Sequence, residues 1–500
     1  GFAMLCEGSV QEVMDLTAVA HLATIKGRVP VLNFFDGFRT SHEYQKIETW
    51  DYDELKEMVD WEALQAFRDS ALNPEHPCQK GSAQNPDIFF QVREASNKAY
   101  EAFPAIVEGY MNEINKRIGT DYKLFNYHGA PDAEQIIIAM GSVCDTIDEV
   151  VDYLVAAGEK VGVVKVRLYR PFSAKHLLDV IPETVKKISV LDRTKEPGAM
   201  GEPLYVDVLA AIRGTRLHNA TVFSGRYGLG SKDTTPGQIV AVFRNEEKPV
   251  FTIGIEDDVT GLSLKVVEDP DTQPASTISC KFWGLGADGT VGANKNSVKI
   301  IGDHTDKYVQ AYFEYDSKKS GGLTISHLRF GDAPIQSTYY INKASFVACH
   351  QPSYVRKYNM VQEVVDGGSF LLNCPWDLEG LEEHLPGQMK RYIAEHNIKL
   401  YTIDGVEVIA EPSDTILSSA TRAGIEIPTL CFDARTAIYG ACGVCLVEVE
   451  GVPKLLRACS ARVHTVRIGV SGLEIKFLAM SALYRSAARP IASASSSVQE

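Results

Sequence analysis

Four cysteines near the C-terminal end have the residue type and spacing needed to hold a small inorganic cluster. Cys431, Cys442, Cys445 and Cys459 are separated by ten, two and thirteen residues. Four thiolates of this kind can bind the irons of a 2Fe–2S cluster. Structural zinc is the alternative, because C-x₂-C pairs also bind zinc, but zinc sites are usually built from two close pairs. One pair with two distant single cysteines therefore favours 2Fe–2S over zinc or unligated thiols.

The segments around these cysteines predict the elements that would position them. Residues 400–409 are expected to form a hairpin that turns at Asp404-Gly405, and Asp414 is expected to cap a short helix. After Cys445, a strand over 446–449 is expected to turn back toward Leu456. The predicted order is therefore hairpin, helix, cysteine loop and second hairpin.

These residues resemble the 2Fe–2S ferredoxin module found at the start of the large subunit of respiratory complex I and in many iron-only hydrogenases. The resemblance covers about seventy residues and implies a β-grasp fold with the four cysteines as cluster ligands. Relatives usually continue into a His/Cys-ligated 4Fe–4S segment. His464 lacks cysteines at the spacing of such a site, so we interpret it as a surface or core histidine.

A glycine-rich loop provides a second candidate site. A strand over 277–283 is followed by the loop 284–294, a helix through Ile301 and a strand over 308–315. Glycines let a backbone approach a pyrophosphate, and a helix N-terminus offers N–H groups to it. Lys318 and Lys319, just after the second strand, would suit a further phosphate better than a ribose. The alternative for the glycine loop is an ordinary tight turn without a ligand. The alternative for the two lysines is a solvated charged turn.

The rest of the chain predicts α/β structure. Apolar strands over 136–140, 161–166, 188–191 and 221–223 alternate with helices over 145–157, 175–181 and 204–212, which is the pattern of a doubly wound domain. Before them, a helix over 11–24 and a strand over 29–35 lead into the polar loop 36–43. Arg39, His42 and Glu43 in that loop could form a site, but mutual ion pairing that holds the loop is favoured.

Composition excludes several classes of protein. A net charge of −15 argues against nucleic acid as the main partner. No apolar run reaches the roughly 18 residues that a membrane span needs, and the first residues show no secretory signal. The six cysteines outside the cluster are expected to be buried free thiols in a reducing compartment. They are Cys6, Cys78, Cys144, Cys280, Cys349 and Cys374.

Long segments resemble pyruvate:ferredoxin (flavodoxin) oxidoreductases over about four-fifths of the chain. They are DGFRTSHE, FWGLGADGTVGANK, YDSKKSGGLTISHLRFG, PIQSTYYI and NCPWDLEGLEEHLPGQMKRYIAEHNIK. The resemblance implies decarboxylation of pyruvate on thiamine diphosphate, electron transfer through iron–sulfur clusters and acetyl transfer to coenzyme A. It places CoA binding on Gly286, Ala287, Asp288, Gly289, Thr290 and Lys318.

The chain also departs from that family. The GDG…N motif that holds Mg²⁺ and thiamine pyrophosphate is missing, as are the C-x₂-C-x₂-C-x₃-C-P runs of the 4Fe–4S domain. Residues that contact the thiamine pyrimidine are expected before Gly1. We therefore expect thiamine diphosphate and Mg²⁺ to come from missing domains or a partner subunit, in a homodimer or hetero-oligomer. Ferredoxin or flavodoxin would accept the electrons, in an anaerobic cytoplasm or organelle matrix.

The resemblances predict transketolase-like doubly wound α/β domains followed by a β-grasp domain. The expected divisions are 1–118 (partial thiamine-pyrimidine-type), 119–245 (transketolase C-terminal-like), 246–398 (CoA-binding, gamma-type), 399–470 (2Fe–2S ferredoxin) and 471–500 (tail). Three alternatives remain for the function: a nucleotide-dependent dehydrogenase, a 2Fe–2S electron-transfer subunit of a hydrogenase or NADH-dependent complex, and a truncated or chimeric non-catalytic chain.

Overall fold

The computed structural model describes residues 1–79, 81–286, 288–315, 322–403, 415, 417–418, 446–447 and 456–457. The chain divides into two compact units. The first unit comprises Gly1–Glu43, Ile47–Gln273 and Gln336–Tyr340, and the second comprises Tyr44–Lys46, Pro274–Ile335 and the chain from Ile341 onward. The domain limits expected from the sequence remain predictions.

The strands and helices of the described residues are numbered in chain order. The strands are β1 (Ala3–Glu7), β2 (Val31–Phe35), β3 (Tyr44–Gln45), β4 (Phe125–Gly129), β5 (Gln135–Ala139), β6 (Val161–Val166), β7 (Leu168–Arg170), β8 (Lys187–Asp192), β9 (Thr221–Arg226), β10 (Val250–Thr252), β11 (Ile278–Leu285), β12 (Tyr308–Tyr315), β13 (Leu323–Gly331), β14 (Ala344–Cys349), β15 (Val364–Asn373), β16 (Lys399–Ile403), β17 (Leu446–Val447) and β18 (Leu456–Arg457). The helices are α1 (Val10–Gly27), α2 (Tyr52–Glu57), α3 (Trp61–Asp69), α4 (Phe89–Ala95), α5 (Asn97–Ile118), α6 (Val143–Ala156), α7 (Ala174–Val180), α8 (Pro203–Ile212), α9 (Pro236–Arg244), α10 (Thr290–His304), α11 (Leu378–His384) and α12 (Gly387–Glu395).

The first unit contains two sheets. Six strands lie in the order β10-β9-β8-β5-β6-β4, all parallel to their neighbours except β4. Three more lie in the order β2-β1-β7, with β1 parallel to β2 and antiparallel to β7. Every residue of β8 is buried, because a parallel strand covered on both faces has no side open to water.

Alternate residues of the central strand β5 pack into two different cores. Ile136 and Ile138 join one core, with α1, α5 and α8, whereas Ile137 and Ala139 join another, with α6 and α9. Since side chains of a strand alternate between faces, helices cover both faces of this sheet. The doubly wound α/β arrangement predicted from the apolar runs is confirmed.

The second unit is built on a mixed seven-stranded sheet in the order β16-β15-β14-β11-β13-β12-β3. Strands β16, β15, β14 and β11 are mutually parallel, and β13, β12 and β3 continue by antiparallel pairing. Helix α10 packs on one face through Val298, and α11 and α12 pack on the other through Leu381 and Met389. This unit is therefore also a layered α/β structure.

Most elements predicted from periodicity occur where they were expected, and some details differ. The strands over 161–166 and 308–315 have the predicted limits. Five of the six cysteines outside the cluster are buried thiols: Cys6, Cys144, Cys280, Cys349 and Cys374. Cys78 is exposed, so its predicted burial was wrong. Burial raises the pKa of Cys280 and of Cys349 to about 12.

Among the described residues, the strand predicted to open the first hairpin near residue 400 pairs with β15. Lys399–Ile403 forms β16, which pairs in parallel with β15 at the edge of the seven-stranded sheet. The hairpin turn and Asp414 lie outside the described residues. Nearby, the N–H of Ser418 donates to the hydroxyl of Thr415 at 3.1 Å.

No helix within the described ranges is both long and apolar enough to span a bilayer.

Candidate functional site

The glycine loop predicted from the sequence lies at the carboxyl end of β11. Helix α10 begins at Thr290, and Gly289 precedes it with φ +85°. A side chain at Gly289 would be strained in this left-handed conformation. The helix N-terminus therefore faces the edge of the sheet at which parallel strands end, which is a usual position for ligands in α/β folds.

The Asp288 carboxylate organises this loop. One oxygen accepts hydrogen bonds from the N–H of Leu285 at 2.9 Å and from the hydroxyl of Thr290 at 2.8 Å, and the other accepts from the N–H of Thr290 at 2.7 Å. Thr290 itself is fully buried. Of the candidate residues, Asp288 and Thr290 therefore hold the loop backbone in place.

Gly284 makes this arrangement possible, although the loop pattern alone does not distinguish it from the other glycines. A Cβ at this position would lie 2.3 Å from the hydroxyl oxygen of Thr290 and 2.9 Å from a carboxylate oxygen of Asp288. Real Cβ atoms do not approach other atoms so closely. A side chain at Gly284 would therefore displace both groups.

His350 is a second residue of this site that no sequence motif indicates. It follows β14, and its ring nitrogen Nδ1 lies 2.9 Å from the hydroxyl oxygen of Thr290. Its backbone N–H donates to the carbonyl of Trp283 at 2.8 Å. Sixty residues separate His350 from the loop in sequence, so only the pairing of β14 with β11 brings them together.

The chain on both sides of Lys318 reaches the same edge of the sheet. Tyr315, at the end of β12, pairs with Thr324, while Leu285, at the end of β11, pairs with Leu323. The N–H of Gly286 donates to the carbonyl of Gly322 at 2.6 Å. Ala287 and Lys318 themselves lie outside the described residues.

The topology differs from that of a dinucleotide-binding βαβ unit. In such a unit the two parallel strands joined by the helix are neighbours. Here β13 lies between β11 and β12 and is antiparallel to both. The predicted strand–loop–helix–strand order is confirmed, but the expected adjacency of its strands is absent from the described sheet.

The four cluster cysteines lie outside the described residues. The strands predicted around them are described: β17 pairs antiparallel with β18, with Leu446 opposite Arg457 and Val447 opposite Leu456. β17 begins one residue after Cys445, and β18 ends two residues before Cys459. Elsewhere, over the parts of the chain that the structure describes, no group of three or more His, Cys, Asp or Glu could hold a metal ion.

The polar loop 36–43 is held by partners in other parts of the first unit. Arg39 forms an ion pair of 2.9 Å with Asp233 and lies over the ring of Tyr340, 4.2 Å from its centroid. Nδ1 of His42 lies 2.8 Å from the hydroxyl of Ser41. The structural role favoured from the sequence agrees with these contacts, but the partner of Arg39 is almost two hundred residues away.

A cluster of buried charged residues lies at the carboxyl ends of β1 and β6. Arg167 pairs with Glu12 at 2.5 Å. Burial raises the pKa of Glu12, but the charges of Arg167 and Lys165 and the hydrogen bonds from Gly8 and Arg167 together bring it below its usual value. Glu7 is fully buried, and neither carboxylate oxygen has a hydrogen-bond partner. Burial, reinforced by the charge of Glu12, raises the pKa of Glu7 to about 9.

The cavity beside this cluster is too small for an organic substrate. Its volume is about 10 Å³, and Cys6, Cys144 and Lys165 are among the residues that line it. That volume accommodates about one water molecule, whereas ligand pockets span roughly 300–1,000 Å³. We therefore place the candidate site at the glycine loop.

Comparison with known protein families defines the class. Residues 1–112 match "Pyruvate flavodoxin/ferredoxin oxidoreductase, thiamine diP-bdg", residues 133–239 match "Pyruvate:ferredoxin oxidoreductase core domain II", and residues 279–425 match "Pyruvate ferredoxin/flavodoxin oxidoreductase". Residues 397–466, which include all four cluster cysteines, match a 2Fe-2S iron-sulfur cluster binding domain. The matched segments are those of an iron–sulfur oxidoreductase.

Individual relatives agree with these matches. The chain is 58% identical over 415 residues to the pyruvate:ferredoxin oxidoreductase of Moorella thermoacetica, and 58% identical over 413 residues to the pyruvate-flavodoxin oxidoreductase of Enterobacter agglomerans. Each alignment covers 82% of this chain and 35% of the relative. A pyruvate-flavodoxin oxidoreductase of a Nostoc species is 45% identical over 92% of this chain and 38% of its own length.

The chain thus belongs, as a partial member, to the pyruvate:ferredoxin (flavodoxin) oxidoreductase family, and the 2Fe–2S domain match begins within the last family segment and extends beyond it. It spans about a third of the length of the curated relatives that it matches.

Proposed function

We propose that this chain is the CoA-binding and 2Fe–2S-bearing part of an enzyme that oxidatively decarboxylates pyruvate to acetyl-CoA. In this proposal the backbone of Gly286 to Thr290 and the ammonium group of Lys318 hold the phosphates of CoA. Cys431, Cys442, Cys445 and Cys459 hold the cluster, which would accept one electron at a time. Thiamine diphosphate and Mg²⁺ would be supplied by another subunit or by further domains.

The observation that carries this proposal is the convergence of loop and hairpin at one edge of the second unit. The glycine loop begins helix α10, and the N–H of Gly286 binds the carbonyl of Gly322, beside the segment that contains Lys318. The dipole of a helix N-terminus attracts anions, although the N–H groups of Gly286, Asp288 and Thr290 already donate to Gly322, Leu285 and Asp288. A lysine in the adjoining segment would add a full positive charge for a second phosphate.

The strand order supports CoA over NAD(H) for this loop. Insertion of β13 between β11 and β12 removes the adjacent parallel strand that carries the ribose-binding acid in a dinucleotide fold. A nucleotide-dependent dehydrogenase is therefore the weaker candidate. Binding of NADH but not CoA to the purified chain would reverse this preference.

The CoA proposal is tested by calorimetric titration of the chain with CoA, with dephospho-CoA as a second ligand. Lys318→Ala should weaken CoA binding about 10-fold or more, because a hydrogen bond to a charged group contributes about 1.5–3 kcal/mol. Lys299→Ala is the matched control, since Lys299 is exposed on α10 away from the loop. Equal affinity of the Lys318 variant and the wild type would refute the role of the lysine.

The cluster proposal is tested by iron and acid-labile sulfide analysis of anaerobically purified chain, with EPR after dithionite reduction. We expect two irons per chain and a rhombic low-temperature signal. Cys442→Ser should remove the signal, while Cys78→Ser, which changes a cysteine outside the predicted ligand set, should leave it intact. Zinc in place of iron would contradict the proposal.

The dependence on a thiamine-bearing partner is tested by activity. The isolated chain should not reduce a viologen dye with pyruvate, CoA and thiamine diphosphate, because its sequence lacks the GDG…N motif for Mg²⁺ and pyrophosphate. Addition of a thiamine-binding subunit of the same family should restore reduction, with ferredoxin or flavodoxin as the natural acceptor. Activity of the chain alone would contradict the proposal that thiamine diphosphate is bound by another subunit or by further domains. An anaerobic, reducing compartment would fit the cluster and the free thiols.

A further inference from the structure

We infer that His350 is a positioning residue for the glycine loop: it fixes the shape of the loop through Thr290 and Asp288. This inference rests on the proposed function of the loop in CoA binding. It concerns a residue sixty positions away from the loop in sequence, which sequence motifs do not connect with it.

Asp288, Thr290 and His350 form a chain of hydrogen bonds. An ionised carboxylate only accepts hydrogen bonds, so the hydroxyl hydrogen of Thr290 points to Asp288 at 2.8 Å. The hydroxyl oxygen of Thr290 then has lone pairs left to accept from Nδ1 of His350 at 2.9 Å. The network thus assigns the hydrogen of His350 to Nδ1.

The direction of this chain strengthens the hold on Asp288. A hydroxyl that accepts one hydrogen bond becomes a better donor in the next, because successive bonds polarise each other. Donation from His350 therefore reinforces the bond from Thr290 to the Asp288 carboxylate. The negatively charged Asp288 carboxylate lies next to a proposed phosphate site. Its hydrogen bonds to Leu285 and Thr290 keep the carboxylate directed toward the loop backbone.

The sheet holds His350 in place at the position from which it can act. Its N–H donates to Trp283 of β11, and its carbonyl accepts from the side chain of Asn373 at 3.3 Å. Strands β11, β14 and β15 are parallel neighbours, so these three residues lie at the same edge. The chain that follows β11 leads to β12, which lies on one side of β11 in the sheet. The chain that follows β14 leads to β15, which lies on the other side. Such a switch point is where α/β sheets usually bind ligands.

Four variants test whether His350 acts through Thr290. His350→Ala should weaken CoA binding about 5- to 10-fold, the usual net effect of one hydrogen bond. His350→Asn should stay within about 2-fold of the wild type, because an amide can replace the Nδ1–H donor. Thr290→Val should weaken binding at least as much as His350→Ala. The double variant His350→Ala/Thr290→Val should be no weaker than Thr290→Val alone, since coupled residues are not additive.

A second readout makes the test independent of CoA. Amide hydrogen exchange of the peptide spanning 284–291, measured without ligand, should accelerate in His350→Ala and return to the wild-type rate in His350→Asn. His304→Ala is the matched control, because His304 is exposed at the far end of α10. It should change neither affinity nor exchange.

The outcomes separate this inference from the function on which it rests. If the wild-type chain does not bind CoA, the proposed function fails, and hydrogen exchange alone decides the role of His350. Asparagine failing as badly as alanine would overturn the inference, because side-chain shape rather than N–H donation would then matter. Strictly additive effects of the two substitutions, or unchanged exchange in His350→Ala, would also overturn it.

Discussion

Replacing Glu7 by Gln should remove a pH-dependent cost of folding from the first unit. Glu7 lies at the end of β1, fully buried, with no partner for either carboxylate oxygen. Burial and the nearby charge of Glu12 raise its pKa from 4.5 to about 9. The charge of the neighbouring Arg167 lowers the pKa of Glu7 only a little, because Arg167 is paired with Glu12 at 2.5 Å.

The sign and size of the effect follow from proton linkage. Between pH 4.5 and 9 the folded state holds a proton on Glu7 that the unfolded state has released, so stability falls as the pH rises. The loss is about 1.4 kcal/mol per pH unit. From pH 6 to pH 8 the wild type should therefore lose about 3 kcal/mol that Glu7→Gln does not lose.

The assay is amide hydrogen exchange of β1 and α1 at pH 6 and pH 8, corrected for the intrinsic exchange rate, which gives the local free energy of opening. The comparison is the difference between variant and wild type, so that other titrating groups cancel. Glu12→Gln is the control: it leaves Arg167 unpaired and should destabilise by about 3–5 kcal/mol. Because the charge of Glu12 also helps to raise the pKa of Glu7, the further loss of stability between pH 6 and pH 8 should be smaller in Glu12→Gln than in the wild type. An equal Glu7→Gln effect at pH 6 and pH 8 would refute a protonated Glu7.

Three further predictions concern the second unit and the thiols. Gly284→Ala should destabilise the second unit by about 1–3 kcal/mol through overpacking and abolish CoA binding. Gly387→Ala is the control, because a Cβ there meets nothing within 4 Å, and it should leave stability and CoA binding intact. Urea midpoints measure the stability, and calorimetry measures the binding. Lys281→Met should cost about 3–5 kcal/mol at pH 8, because Lys281 is paired at 2.6 Å with the partly buried Glu363. Burial raises the pKa of Glu363, so the cost should shrink at pH 5, and a loss independent of pH in urea titrations would contradict the pairing. Among the six cysteines outside the cluster, Cys78 alone should react with a maleimide in the native protein, and mass spectrometry showing labelling of the five buried thiols would contradict the structure.

Local pattern predicted much of this fold because the strands are apolar and uninterrupted. The run at 161–166 and the strand at 308–315 have the limits that periodicity indicated. The glycine loop was recognisable because its glycines stand directly before a helix. In each case the decisive information lies within about fifteen consecutive residues.

The errors concern partners that are distant along the chain. Nothing near Lys399–Ile403 shows that this strand pairs with β15, nor that β13 separates β11 from β12. Arg39 binds Asp233, a partner outside its own loop that the local sequence does not indicate. The proposed role of His350 could not be predicted for the same reason. His350 meets the loop only because β14 pairs with β11, and this pairing depends on the whole sheet.

The central position of β11 has a consequence for the order of folding. β12 and β13 are joined by a short connection and can form a hairpin early, within microseconds. The pairing of β11 with β14 closes a much longer loop of chain and should come later. Since His350 arrives with β14, the glycine loop should gain its final shape only in that late step. Ligand binding by this loop would thus report complete folding of the second unit, and CoA present during refolding should stabilise the finished unit without accelerating formation of the early hairpin.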